Sequence, residues 1–236
     1  MEGYGQFCPL ALSAEIVGER WTPLVLRELM LGARHFNDIH RGVPRMSPSL
    51  LSRRLKTLQN AMIVERVRCG QRIEYRLTEA GEALAPVIEA LALWGKAWLP
   101  STLSAERADP DLILWDMHRR MNTDEMPSKR TVIRFDFTDQ QPEKRLRWLI
   151  GDNGAIDICI TDPGLEVDLF VETDSSTVTS VWYGDMALRH ALDDGLIALH
   201  GPRRLCDAFP SWLKLNLLAE VPRRHGPVRS RQAKTG

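Results

Sequence analysis

The sequence predicts an α+β chain in two parts: a small helical unit closed by a two-stranded hairpin, then an antiparallel sheet-and-helix domain. Three observations predict it. Capped helical patterns and two short alternating strands fill the first hundred residues. A second run of short strands separated by turn residues begins at Thr131. The charge also changes sign between the halves: the chain balances 31 basic against 31 acidic residues, yet residues 34–76 carry ten basic and three acidic ones (+7), and residues 101–222 carry 13 basic and 21 acidic ones (−8).

In chain order, Trp21–Leu31 (WTPLVLRELML) reads as a largely apolar support helix, with Thr22 as its cap, Pro23 in its first turn and Gly32 as its stop. His35–His40 is a short helical pattern with Phe36 and Ile39 as its apolar pair, broken by Gly42-Val43-Pro44. Ser47–Asn60 carries the clearest signal. Ser47 can accept from a free N–H of the first turn, and Pro48 at the first helical position loses nothing by lacking its own. Leu51, Leu55, Leu58 and Met62 recur on one face; Ser49, Arg53, Lys56 and Asn60 fall opposite. Met62–Val67 and Ile73–Leu77 read as strands around Arg68-Cys69-Gly70-Gln71-Arg72.

Helix, short helix, turn, capped basic helix and hairpin is the layout of a winged helix-turn-helix. A helix anchored on one face and carrying short hydroxyl, Arg and Lys groups on the other suits the DNA major groove. The residues expected at double-stranded DNA are Ser47, Ser49, Ser52, Arg53, Arg54, Lys56, Arg45, Arg68 and Arg72. Ser49, Arg53 and Lys56 would approach base edges, while Arg45, Arg54 and the wing residues Arg68 and Arg72 would hold phosphates. The localised positive charge is the electrostatic footprint of a polyanion partner. His35 and His40 are read as phosphate contacts or surface groups rather than metal ligands.

Three stretches, CPLALSAEIVGERWTPLVLREL, HFNDIHRGVPRMSPSLLSRRLKTLQ and YRLTEAGEALAPVIEALALWG, resemble the HxlR family of bacterial winged-helix transcriptional regulators, over about Cys8–Leu99. The resemblance implies a DNA-binding homodimer, with the helix at Ser47 entering the major groove. It also places the dimer interface on terminal helices. From Thr78 a long helical pattern carries Leu84, Ile88, Leu91 and Trp98 near one face, with Val87 and Trp94 beside them, much apolar surface for so small a unit to cover, which fits a partner helix; the alternative is that the face packs back on its own unit. Leu84, Ile88, Leu91, Trp94 and Trp98 are the expected dimer contacts.

The four cysteines, Cys8, Cys69, Cys159 and Cys206, include no CxxC pair, and the six histidines do not cluster with them, so no metal and no cofactor is expected. The N-terminus lacks a signal-peptide pattern and no run is long enough to cross a membrane, which predicts a cytoplasmic chain with reduced thiols and no membrane insertion. Cys8, just before Pro9, stands where the resembled family often has a cysteine that some members use to sense oxidants or electrophiles, and is the redox candidate; the alternative is a small hydrophobe beside Leu10 and Leu12.

In the second half, Leu103–Asn122 reads as a connecting helix. Thr131–Phe137, Leu146–Ile150, Ala155–Thr161 and Glu166–Glu172 read as an antiparallel meander turning at Gly151-Asp152-Asn153-Gly154 and Asp162-Pro163-Gly164. Helices follow over Asp174–Trp182 and Met186–Leu192, then a strand at Leu196–His200. A helix through Phe209 and a short last one from Pro210 to about Leu218 close the domain. The tail DLFVETDSSTVTSVWYGDMALRHALDDGLIALHGPRRLCDAFPSWL resembles the sterol carrier protein type 2 family. That fold implies an apolar cavity for a hydrophobic small-molecule effector, with Trp148, Phe170, Trp182, Leu188 and Trp212 as candidate contacts, beside Tyr183 and Phe209. For each of these the alternative is plain core, the usual place of apolar residues in a sheet-and-helix domain.

The expected organisation is a winged helix-turn-helix with its dimerisation helix over 1–100, a connecting helix and linker over 101–128, the sterol-carrier-like domain over 129–222 and a basic disordered tail over 223–236. No GxSxG, Walker, GxGxxG or HExxH pattern occurs, so an enzyme is not expected. The favoured function is a dimeric, effector-modulated transcription regulator on palindromic DNA. A hydrophobic-metabolite carrier and a regulator switched through the Cys8 thiol are the alternatives.

Overall fold

A computed structural model describes residues 3–99 and 107–224. The chain divides into two compact units, residues 1–92 and 93–236.

The first unit opens with α1 (Pro9–Val17) and α2 (Thr22–Met30). Thr22 is the first residue of α2 rather than its cap: Trp21 holds the cap position at φ 77°, and the Thr22 hydroxyl is buried without a hydrogen-bond partner. Gly32, at φ 93°, ends the helix, its N–H donating to Leu29 O at 3.1 Å while Ala33 N donates to Glu28 O at 3.0 Å. Then come α3 (Phe36–Gly42) and α4 (Pro48–Asn60). Leu51, Leu55 and Leu58 of α4 are buried against Val25, Leu26, Leu29 and Ile39. Met62 does not join them. The chain leaves the helix at Asn60 and turns left-handed at Met62 (φ 56°), so Met62 is 75% exposed and Ile63 takes the core position.

The hairpin is β1 (Val64–Cys69) against β2 (Arg72–Leu77), with Cys69 opposite Arg72 across the two-residue turn Gly70-Gln71. Thr78 accepts from Gly81 N at 3.2 Å and so caps α5 (Glu79–Glu82). The helix expected to run on from Thr78 is broken there, and α6 (Ala85–Trp98) starts afresh. Pro86 explains the break: it has no N–H to offer the Glu82 carbonyl, and its ring would clash with it.

In the second unit, α7 (Pro110–Met117) is capped by the Asp109 carboxylate. The connecting helix expected over 103–122 is therefore shorter, and residues 103–106 lie outside the described residues. Nor is α7 a linker: Ile113, Leu114, Met117 and the following Met121 are core residues. Next come β3 (Thr131–Phe137), α8 (Pro142–Arg145), β4 (Leu146–Asp152), β5 (Ala155–Cys159) and β6 (Leu169–Thr173). They are followed by α9 (Ser175–Trp182), α10 (Leu188–Asp193), β7 (Ile197–His200) and α11 (Arg203–Trp212). The sheet order is β5-β4-β3-β6-β7, with β3 and β6 parallel and the other neighbours antiparallel.

The expected antiparallel meander is thus corrected to a mixed sheet. After β5 the chain does not fold back at Asp162-Pro163-Gly164. It crosses to the free edge of β3, where the Asp168 carboxylate accepts from Val132 N (2.9 Å) and Asp168 N donates to Val132 O (2.9 Å), starting the parallel ladder. Pro210 lies inside α11 instead of opening another helix; burial of Phe209 and Trp212 around it offsets the one backbone bond it forfeits. Among the described residues no helix is long and apolar enough to cross a membrane.

The end of α6, residues 93–98, belongs to the second unit, and Lys96 is buried there. Lys96 Nζ donates to Tyr183 O at 2.7 Å and pairs with Asp185. Arg223 donates to both Asp185 oxygens (2.7 and 2.6 Å) and to the carbonyls of Lys96 and Leu99 (both 3.1 Å), which the helix end leaves open. Arg223 and Arg224, expected in a disordered tail, are therefore ordered, and residues 225–236 lie outside the described residues. Burial raises the Asp185 pKa, but hydrogen bonds from Arg223 and Lys96 outweigh it and hold the carboxyl below its usual value. A carboxyl depressed in the folded state stabilises fully above its unfolded pKa, and that contribution is lost as pH falls through the folded value. Melting followed from pH 5 downward should show this loss beginning near pH 4. Asp185→Asn should flatten that slope; an identical slope in the variant would contradict the assignment.

Candidate nucleic-acid interface

The sequence folds α4 into an amphipathic rod with a defined start. Ser47 Oγ accepts from Leu50 N at 3.3 Å and lies 3.2 Å from Ser49 Oγ, so the cap hydroxyl is already engaged. Ser49, Ser52, Arg53, Lys56 and Asn60 are exposed along the outer face; Leu51, Leu55 and Leu58 fix the inner one. Arg45 is exposed in the turn before the helix. Five expected contact residues, Arg45, Ser49, Ser52, Arg53 and Lys56, thus gather on one accessible surface around α4, with Ser47 at its lip.

Arg54 does not join them. The spacing 51, 54, 55, 58 puts it on the buried stripe, where its side chain is 10% exposed and its Nη2 lies 2.7 Å from Glu19 Oε2. The expectation that Arg54 holds a phosphate is corrected: it is spent inside the unit. The signal was legible, since Arg54 occupies an inner-face position while its neighbour Arg53 lies 100° around the helix.

At the wing, Arg68 and Arg72 are both exposed beside the Gly70-Gln71 turn, but the register sends them to opposite faces: Arg68 stands with Ile73, Arg72 with Cys69. Arg76, lower on the ribbon, bonds Glu74 at 2.8 Å and holds its carboxyl below the usual range. His35 and His40 serve the frame. Nδ1 of His35 lies 3.0 Å from Ile73 O and Nε2 of His40 lies 2.8 Å from Met46 O, tying the short helix to the wing and to the turn before α4. Sequence reasoning missed Glu28, which is 1% exposed and accepts from Arg27 Nη2 at 2.7 Å. A Cβ at Gly42 would lie 1.9 Å from its carboxyl carbon, so any larger residue there displaces the buried carboxylate.

The expected dimer residues separate into two groups. Ile88 is buried in the core of the first unit and Leu84 packs against it, whereas Leu91, Trp94 and Trp98 are 53%, 56% and 40% exposed. Cys8 is exposed at the start of α1, with no side-chain cap bond. In the second unit an apolar cavity of about 10 Å³, room for a single water, is lined by residues that include Phe135, Trp182, Leu188 and Phe209. Trp182 and Leu188 face it. Trp148, Phe170 and Trp212 do not: Trp212 is fully buried and donates to Glu125 O at 2.9 Å, and Phe170 lies under the Arg134 guanidinium at 4.5 Å. Among the described residues no cluster of three or more His, Cys, Asp or Glu could hold a metal ion.

Residues 16–103 match the HxlR-like helix-turn-helix family model. The uncharacterised HTH-type transcriptional regulator YvaP of Bacillus subtilis is 35% identical over 103 residues, covering 42% of this chain and 95% of YvaP. This chain belongs to the HxlR-like helix-turn-helix family. A second relative, the HTH-type transcriptional regulator YodB of Bacillus subtilis, is 36% identical over 91 residues, 37% of this chain and 81% of YodB. The structure of its reduced form covers 39% of this chain and 93% of that one at 35% identity, with a TM-score of 0.35. The HxlR-like span contains every residue expected at DNA, and residues 107–224 lie beyond it.

Proposed function

We propose that the protein is a dimeric transcription regulator that binds palindromic double-stranded DNA with α4 in the major groove. The observation that carries this reading is the exposed row Ser49, Ser52, Arg53 and Lys56 on a helix locked from behind, in a chain whose relatives are HTH-type transcriptional regulators. The short hydroxyls let the helix approach closely, and Arg53 and Lys56 reach base edges. Leu91, Trp94 and Trp98 leave an apolar stripe on α6 that a second copy would cover, and twofold symmetry would then repeat α4 about one DNA turn away. No step in this reading is catalytic.

Selection of bound duplexes from a random pool tests it. The expected product is an inverted repeat with half-sites about 10 base pairs apart; a pool that yields no enriched sequence would contradict the reading. Arg72→Ala should lower affinity alike for enriched and scrambled duplexes and make the salt slope shallower by about 1. A loss confined to one base position would contradict its assignment to a phosphate.

The second unit is proposed as the effector domain, where Trp182 and Leu188 would meet a hydrophobic molecule. The cavity they face is only about 10 Å³, so such a molecule would bind there by displacing side chains, which weighs against a carrier of bulk lipid. Likeness to sterol carrier proteins would rest on this sheet-and-helix arrangement alone. A second reading, thiol control, is favoured by the exposure of Cys8. Loss of DNA binding on oxidation that survives Cys8→Ser would overturn it.

A further inference from the structure

We propose that Glu19 and Arg54 form a clamp that sets the rotation at which α4 presents its outer face, Arg54 acting as a positioning residue rather than a phosphate ligand. The inference rests on the DNA-binding reading above and names what aims that site.

Three observations support it. The Arg54 guanidinium is nearly covered, and its anchor is the 2.7 Å bond from Nη2 to Glu19 Oε2, while its Nε is buried with no hydrogen bond. A buried cation held at one end stays inside only while that carboxylate remains; without it, solvation pulls the guanidinium outward and the helix with it. Glu19 itself stands on a fixed strut. Trp21, two residues on, holds a left-handed φ of 77°, a conformation a bulky side chain keeps only when its surroundings impose it, and Arg20 covers its ring at 5.4 Å. Gly18 N donates to Ala14 O at 2.9 Å, tying the strut to the end of α1. The clamp therefore fixes α4 to the turn between α1 and α2.

The geometry makes rotation the sensitive quantity. Arg53 and Arg54 are neighbours 100° apart on the same helix, one outward and one inward. A 10° turn about the axis moves an outer-face group about 6 Å from that axis by about 1 Å, enough to spoil a bidentate base contact while leaving phosphate contacts in reach.

The test uses the full chain with Glu19→Gln, Arg54→Met and the reversed pair Glu19→Arg with Arg54→Glu. Two quantities are read: amide hydrogen exchange over residues 48–60 without DNA, and affinity for the wild-type-enriched duplex relative to its scrambled counterpart across salt. The clamp predicts that Glu19→Gln speeds exchange in 48–60 and lowers the preference for the enriched duplex by about tenfold or more at an unchanged salt slope. It also predicts that the reversed pair restores both. If Glu19→Gln does not fold, Glu19→Asp, which keeps the charge one methylene short, is expected to show the same changes at smaller size. Unchanged exchange and preference in a folded Glu19 variant would overturn the clamp. So would Arg54→Met weakening both duplexes equally with a salt slope shallower by about 1, because that marks a phosphate ligand. A wild-type chain that enriches no sequence refutes the DNA-binding reading instead, and the exchange measurement alone then decides whether Glu19 holds α4.

Discussion

Arg53→Ala is expected to weaken binding to the preferred duplex by about 1–3 kcal/mol, roughly 5- to 150-fold, and to relax preference at the base it reads. The effect follows from where the helix puts it. Leu51, Leu55 and Leu58 hold one face of α4 in the core, so the opposite face can be offered to a groove without moving. Arg53 is exposed in the middle of that face, flanked by Ser49, Ser52 and Lys56, whose small or flexible side chains do not block its approach. Its planar guanidinium presents a rigid fork of donors that matches the paired acceptors of guanine. Titration of the variant on the enriched duplex checks it, and unchanged affinity would remove Arg53 from the interface. The fold should be untouched, because this side chain is not part of the core.

Gly81→Ala should damage the fold itself, by about 3 kcal/mol. Gly81 is buried where the wing meets the next helix, and a Cβ there would lie 2.2 Å from the Ile63 carbonyl oxygen. That oxygen is held in place, accepting from Thr78 N at 3.1 Å, while Thr78 Oγ1 donates to Met62 O at 2.6 Å and accepts from Gly81 N. Backbone pinned on both sides cannot yield as a side-chain tip would. Either β1 or the cap of α5 must shift, and with it the base of the wing. Chemical denaturation followed by far-UV circular dichroism measures the loss; a variant as stable as the parent would contradict this reading of the junction.

What the sequence disclosed was what local chemistry decides. Ser47 and Pro48 mark the start of α4 because a cap is a matter of two residues, and Gly70 marks the hairpin because a two-residue turn needs its positive φ. The outer face of α4 followed from the 3.6-residue period. What escaped was set by distant partners. Arg54 looked like one more cation in a basic stretch; a carboxylate 35 residues away decides that it is buried. The crossover that makes β6 parallel to β3 depends on Asp168 meeting Val132, and no turn signal at 162–164 announces it. Trp148, Phe170 and Trp212 are apolar in a sheet-and-helix domain, which fits core and ligand site alike, and only packing separates the two. Pro86 was legible as a helix breaker but lay within a strong apolar stripe, and the stripe dominated the expectation of one continuous helix.

The central claim, that the outer face of α4 reads DNA sequence, is tested most directly by fluorescence anisotropy of the full chain on the enriched duplex and on its scrambled counterpart, at several salt concentrations. The account predicts tight binding to the first and weak binding to the second, with affinity for both falling steeply as salt rises, since the residues of α4 and the wing act partly through phosphates. Equal, weak affinity for the two duplexes at every salt concentration would contradict it.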